Sequence, residues 1–215
     1  MNTIFGQNST RSADRRREIL LLSVTLMVAV LMLYLYGAID YTRELFSAWD
    51  LHKYRALGIA APSIDPSVPR PFTYRILGPF LAGVMPFGPD TSFYMLNCVC
   101  SIALVALMFR FMRRIGFSPR LSAAVTVLYI FNKHFFGFTS WNYFHTNDVL
   151  MNIFIIWMFW SMLDGRWLAF AIAMALASVT RETFLIMVPT LLVYLAERRE
   201  ARGEYMRALS ALLPG

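Results

Sequence analysis

Apolar residues run without a charged interruption over positions 19–39, from Ile19 to Ile39. At about 1.5 Å per helical residue the run reaches roughly 30 Å, the thickness of a bilayer's hydrocarbon core. It follows Arg15, Arg16 and Arg17, and it is longer than the apolar core of a secretory signal, with no small-residue cleavage site. The pattern predicts a retained membrane-spanning helix. Four more apolar segments follow. Residues 92–112 are closed by Arg110, Arg113 and Arg114, and residues 121–138 are opened by Arg120. Residues 148–163 end in the turn Asp164-Gly-Arg166, and residues 167–196 carry Arg181 and Glu182 in their middle.

The last segment is the ambiguous one, and positive charge decides it. Cytoplasmic loops carry an excess of Lys and Arg. With the N-terminus inside, the arginines of 110–120 and the turn at 164–166 also fall inside. The basic stretch from Glu197 to Arg202 joins them only if 167–196 forms a hairpin of two short helices. The whole formal excess of +7 then lies on one side of the membrane. A single long helix would bury Arg181 and Glu182 at mid-bilayer, which is costly. The expected fold is an all-α, polytopic membrane helical bundle of about six spans, two of them short. Residues 1–18 form a basic cytoplasmic N-terminus and 19–196 the transmembrane domain. Residues 197–215 form a basic cytoplasmic segment that opens a further helix, as expected of the N-terminal part of a longer protein.

Between the first two spans lies an outer loop, 40–75. Residues 41–57 have helical spacing, with Leu45, Phe46, Trp49, Lys53 and Ala56 along one side, which predicts a helix lying on the membrane surface. Pro62, Pro66, Pro69 and Pro71 then favour extended chain. Residues 76–88 are apolar but too short to span and contain Pro79 and Pro86, so they read as re-entrant or interfacial. A second outer loop places His145, Asn147 and Asp148 at the mouth of the 148–163 helix, with Thr146 or Asn147 as its N-cap.

Composition adds little beyond this. The chain is 58% hydrophobic and 15% charged, with a mean hydropathy of +0.52, against about a quarter charged in soluble domains. The basic excess tracks the inner loops, so it signals orientation and not a nucleic-acid footprint. Cys98 and Cys100 stand two apart on one predicted helix and face different ways, which suits neither a disulfide nor a metal pair.

The unusual polar groups all fall on the outer side: Asp40, Asp50, Arg75, His145, Asp148, Arg181 and Glu182. A carboxylate there can take a proton from an acceptor hydroxyl. Arginines can hold a lipid phosphate and steady it as a leaving group. Each has a plainer reading. Asp50 can be a solvated carboxylate beside Lys53, Asp148 can serve the helix dipole, Arg75 can snorkel to the headgroups with Tyr74, and Arg181 with Glu182 can be a structural pair.

These elements resemble the N-terminal half of the GT-C fold glycosyltransferases, multi-spanning enzymes that use polyprenyl-phosphate sugars, such as the protein O-mannosyltransferase and aminoarabinose-transferase superfamily. The likeness rests on Asp50-Leu-His-Lys-Tyr54-Arg-Ala56 in the first outer loop, on Asp148 opening a later helix, and on Val179-Thr-Arg-Glu-Thr183 ahead of Pro189. The family's adjacent second acid is missing beside Asp50, which leaves Asp40 as the competing counterpart. The resemblance implies sugar transfer on the outer face of a bacterial inner membrane, from a lipid-linked donor to an unidentified acceptor. Asp50 or Asp40 would be the base. Arg75 and Arg181 would bind the lipid-linked phosphate, Glu182 would orient Arg181, and Tyr54, Tyr74, His145 and Asp148 would line the substrate. No phosphate-binding GxxxxGK[ST] or GxGxxG loop occurs, in keeping with a donor that is not a nucleotide sugar. No cofactor is certain; a divalent metal could sit near Asp50, Asp148 and His145, although no spacing demands one. A transporter or channel, or a non-catalytic membrane scaffold, would also keep charges at such positions.

Overall fold

The computed structural model describes residues 3–40, 42–43 and 49–198. Among them there is no strand. Three helices are long and apolar enough to cross a membrane, over Asp14–Tyr36, Pro89–Arg114 and Tyr143–Leu163. The first lies within α1 (Thr3–Tyr36), the second is α4 (Pro89–Arg114), and the third is α7 (Thr146–Leu163) with a preceding turn of 3-10 helix. Between them stand α2 (Leu51–Ala60), α3 (Leu77–Gly83), α5 (Pro119–Phe131) and α6 (Phe138–Trp141), and α8 (Trp167–Ser178) and α9 (Met187–Arg198) follow.

Local chemistry sets the helix ends. Gly37, at φ +68°, adopts the left-handed conformation that commonly ends a helix, and α1 stops before it. Pro89 and Pro119 occupy first-turn positions where no N–H is needed. Ser118 caps α5 by accepting from the Leu121 N–H.

Helix 121–138 does not form as one piece. Asn132 leaves helical geometry, and its side-chain oxygen accepts from the N–H groups of His134 and Phe135 at 3.0 and 3.1 Å. That local capping competes with helix continuation. α5 therefore ends at Phe131, and a π-type turn over Lys133–Gly137 leads into α6. The 167–196 segment also breaks, where Arg181 is extended at φ −165°, and a 3-10 turn over Glu182–Ile186 leads to α9.

The surface helix expected over 41–57 needs correcting. Residues 41 and 44–48 lie outside the described residues. The helix that forms, α2, packs against α3 and α4 and buries Leu51, Tyr54, Leu57 and Gly58, a different face from the one expected. Packing on neighbouring helices covers this side of α2.

α4 and α7 run parallel at the centre. Phe93 stacks on Phe144 near their first turns, while Arg114 and Asp164 pair at 2.9 Å at their ends. α1 and α5 run the opposite way along α4, as does α8 along α7. Phe93, Phe154, Met158, Phe170 and Ala173 form the main core, and a smaller one joins Ala29 and Leu33 to Val105, Ile130 and Phe136. Met27, Leu128 and Leu168 stay more than two-thirds exposed, an outward apolar surface suited to lipid. One end of the bundle holds Glu18, Arg113, Arg114 and Asp164. The opposite end holds the first turn of α7 and the chain from Phe72 to Leu77.

Candidate functional site

That opposite end collects charges from four separate stretches. Arg75 follows the 3-10 turn Phe72–Tyr74. Its Nε donates to Glu182 at 3.0 Å, a second nitrogen donates to the other Glu182 oxygen, and Nη1 donates to the Tyr54 hydroxyl at 3.2 Å. Arg181 pairs with Asp148, whose other oxygen stands 2.8 Å from His145 Nδ1. The Tyr54 ring meets Phe72 and His145 edge-on, and Lys53 stands over the Phe72 ring at 4.3 Å while reaching Asp50 at 2.8 Å. The result is one continuous network from Asp50 to Arg181.

Six of the residues expected to act together are thus brought together: Tyr54, Arg75, His145, Asp148, Arg181 and Glu182. Their pairing differs from expectation. Glu182 holds Arg75, not Arg181, and Asp148 holds Arg181. Arg181 is extended and Glu182 opens the 3-10 turn, and the two side chains take different partners. Arg75 is not a snorkelling anchor, because its side chain is 12% exposed and engaged by a carboxylate and a phenol. Its fork on Glu182 holds the Glu182 carboxyl below the usual glutamate range.

Three other expected residues stand differently. Asp50 faces Lys53 with its side chain nearly half exposed. Among the described residues, Asp40 bonds to its neighbours Thr42 and Arg43, and the Thr42 hydroxyl and N–H hold its carboxyl below the usual range, which weakens it as a base. Tyr74 is exposed, with the Arg70 guanidinium over its ring.

Asn147 carries a role that sequence reading missed. Its side chain is not the α7 cap, since the N-cap position falls at His145 with no side-chain bond, and Thr146 donates back to the Tyr143 carbonyl. Instead Asn147 donates to the Arg75 carbonyl and accepts from the Gly78 N–H. Gly78 permits that approach, because a Cβ there would collide with the Asn147 side-chain oxygen. The Leu77 N–H completes the seam by donating to the Val179 carbonyl at 3.1 Å.

Beside the network opens a cleft of about 620 Å³. Asp148, Asn152, Arg181, Glu182 and His134 supply its polar groups, and Phe135, Phe138, Met151, Ile155 and Leu185 its apolar walls. Both breaks in the apolar segments, at 132–137 and 179–186, border this space. Irregular backbone at membrane depth is tolerated where it lines a cavity. Asn152 lies one helical turn below Asp148, a spacing that was legible in the sequence and went unused.

Among the described residues, no group of three or more His, Cys, Asp or Glu side chains has the geometry to hold a metal ion. Asp50 turns to Lys53 and leaves His145 and Asp148 as a pair, so the residues present do not fit the metal considered above. Comparison with protein families, curated proteins and solved structures finds no match to this chain.

Proposed function

We propose that the chain is an integral membrane glycosyltransferase-like protein that moves a sugar from a polyprenyl-phosphate donor at the outer face of a bacterial inner membrane. The observation that carries this reading is the cleft, which combines charged groups with apolar walls. An amphiphile with an anionic head and a long apolar tail matches both parts. In this reading about six segments cross the membrane, 167–196 as a hairpin, and the N-terminus is cytoplasmic.

The acceptor hydroxyl would lose its proton to a carboxylate as its oxygen bonds to the anomeric carbon. The bond from that carbon to the phosphate oxygen breaks, and the polyprenyl phosphate leaves with its negative charge met by Arg181 and Arg75. Asp148 lines the cleft, so it joins Asp50 as a candidate base, with Asp40 third. Binding requires the arginines to share or exchange their present carboxylate partners.

A second reading, a non-catalytic membrane scaffold, draws on the same pairing: Arg75, Arg181 and Lys53 are each already matched by a carboxylate. One assay separates the two. Full-length protein in nanodiscs is given polyprenyl-phosphate sugars, alone and with Asp148→Asn, Asp50→Asn and Asp40→Asn. Transfer lost in Asp148→Asn or Asp50→Asn supports the enzyme. No transfer and no donor binding by the unaltered protein supports the scaffold, and movement of substrate without transfer supports a transporter.

A further inference from the structure

The opposite end of the bundle holds a second cavity, of about 320 Å³, with a different character. It is lined by Asp14, Arg17, Arg113, Ser118, Pro119 and Arg120, where α1 meets the turn between α4 and α5. We propose that it is a binding site for a phosphate-bearing anion, independent of the sugar-transfer reading.

Charge matching sets this end apart from the first. There, Arg75 and Arg181 are each matched to a carboxylate. Here Arg114 is matched by Asp164, but Arg17 and Arg120 have no carboxylate partner among the described residues. Arg113 Nε is buried and pairs with Glu18 at 3.3 Å, without hydrogen-bond geometry. A second Arg113 nitrogen donates to the Phe117 carbonyl, which fixes the guanidinium at the wall. Among the described residues, three guanidiniums line one cavity with Asp14, while Glu18 pairs with Arg113 from outside the lining, which leaves a positive excess and the Arg17 and Arg120 guanidiniums without a carboxylate. Tetrahedral phosphate oxygens satisfy both, because guanidinium forks match their geometry.

The backbone adds to this. α5 starts at the cavity wall. Its Leu121 N–H is taken by the Ser118 hydroxyl and its Ser122 N–H by the Ser118 carbonyl. Pro119 has no N–H, so among the described residues the Arg120 N–H is the first-turn donor without a partner, at the positive end of the helix dipole.

Two sources supply such an anion, a phospholipid headgroup and free phosphate. Leu20, Ile115 and Leu121 stand exposed on the neighbouring turns and give acyl chains a path away from the cavity. General attraction of inner-face arginines to anionic lipid predicts no preference for these three arginines over Arg15 or Arg110.

The test uses the full chain in neutral detergent, with Tm and native mass spectrometry as readouts. Short-chain phosphatidylglycerol, short-chain phosphatidylcholine and inorganic phosphate are added separately. Variants are Arg17→Gln/Arg120→Gln and, as a control of equal charge loss, Arg15→Gln/Arg110→Gln. Stabilisation by phosphatidylglycerol, weakened on the order of tenfold in the first variant and retained in the control, supports the site with a lipid source. The same pattern with inorganic phosphate supports it with a free anion. Equal loss in both variants, or no response of the unaltered protein to either anion, overturns it. Should the double variant fail to fold, the single change Arg120→Gln, at an exposed side chain, carries the same comparison.

Discussion

The Asn147 side chain grips the backbone of Arg75, donating to its carbonyl at 2.8 Å while accepting from the Gly78 N–H at 2.9 Å. The amide works as a two-pronged peptide surrogate. It fixes the chain from which the Arg75 guanidinium reaches Glu182 and Tyr54.

Asn147→Ala leaves two buried backbone groups without partners. A loss of about 2–3 kcal/mol is expected. Asn152→Ala, exposed on the same helix, should change stability by less than about 0.5 kcal/mol. Thermal melts of both variants in one detergent check the contrast.

Gly78→Ala should destabilise the protein by about 1–3 kcal/mol through the collision of its Cβ with Asn147. Combined with Asn147→Ala, the collision is gone. The double variant should therefore lose less than the sum of the two single losses, a coupling that a double-mutant cycle measures directly.

The Arg75–Glu182 pair should make stability pH-dependent. Its carboxyl is held below the ordinary glutamate value by the Arg75 hydrogen bonds. The stabilisation is therefore complete above about pH 4.3, the unfolded-state value, and lost as pH falls through the lowered folded value. Tm measured against pH should show Glu182→Gln below the unaltered protein near neutrality, with the two curves converging in acid.

Asn132→Ala removes the acceptor that turns the chain after α5. The expected cost is about 1 kcal/mol. Hydrogen exchange should show protection spreading past Phe131 as the helix extends into the released segment.

Topology is open to labelling in a background where Cys98 and Cys100 are replaced by serine. Ser67→Cys should react with an impermeant maleimide from outside the cell, and Ser118→Cys only after lysis. The reverse pattern would invert the proposed orientation.

Much of this was legible in the residue pattern. The three long helices follow from uninterrupted apolar length, and the ends of α4 from Pro89 and the arginines at 113–114. The convergence of Arg75, His145, Asp148, Arg181 and Glu182 at one end of the bundle agrees with sorting the charges along the chain, and Tyr54 was pointed to by the resemblance of its stretch. What stayed hidden was decided by geometry at single residues. Asn132 broke a helix that composition alone would continue, since a side chain's choice to bond its own backbone leaves no periodic trace. The exchange of partners between Arg181 and Glu182 falls where an extended residue meets a 3-10 turn. The gripping role of Asn147 joins positions 69 or more residues apart, and neither Arg75 nor Gly78 contributes a side chain to the two bonds.

The shortness of α5 and α8 has a consequence for the surrounding bilayer. At 13 and 12 residues they reach about 20 and 18 Å, roughly ten ångström less than the hydrocarbon core. If both cross the membrane, as in the proposed topology, lipid flanking them would meet a hydrophobic mismatch that α1 and α4 do not impose. Acyl chains there would compress, drawing the headgroups and the 132–137 turn toward the midplane, at a cost of fractions of a kcal/mol per Å. A dimple of this kind would thin the membrane on the side where the larger cleft lies, and would shorten the distance a headgroup travels to reach Arg181.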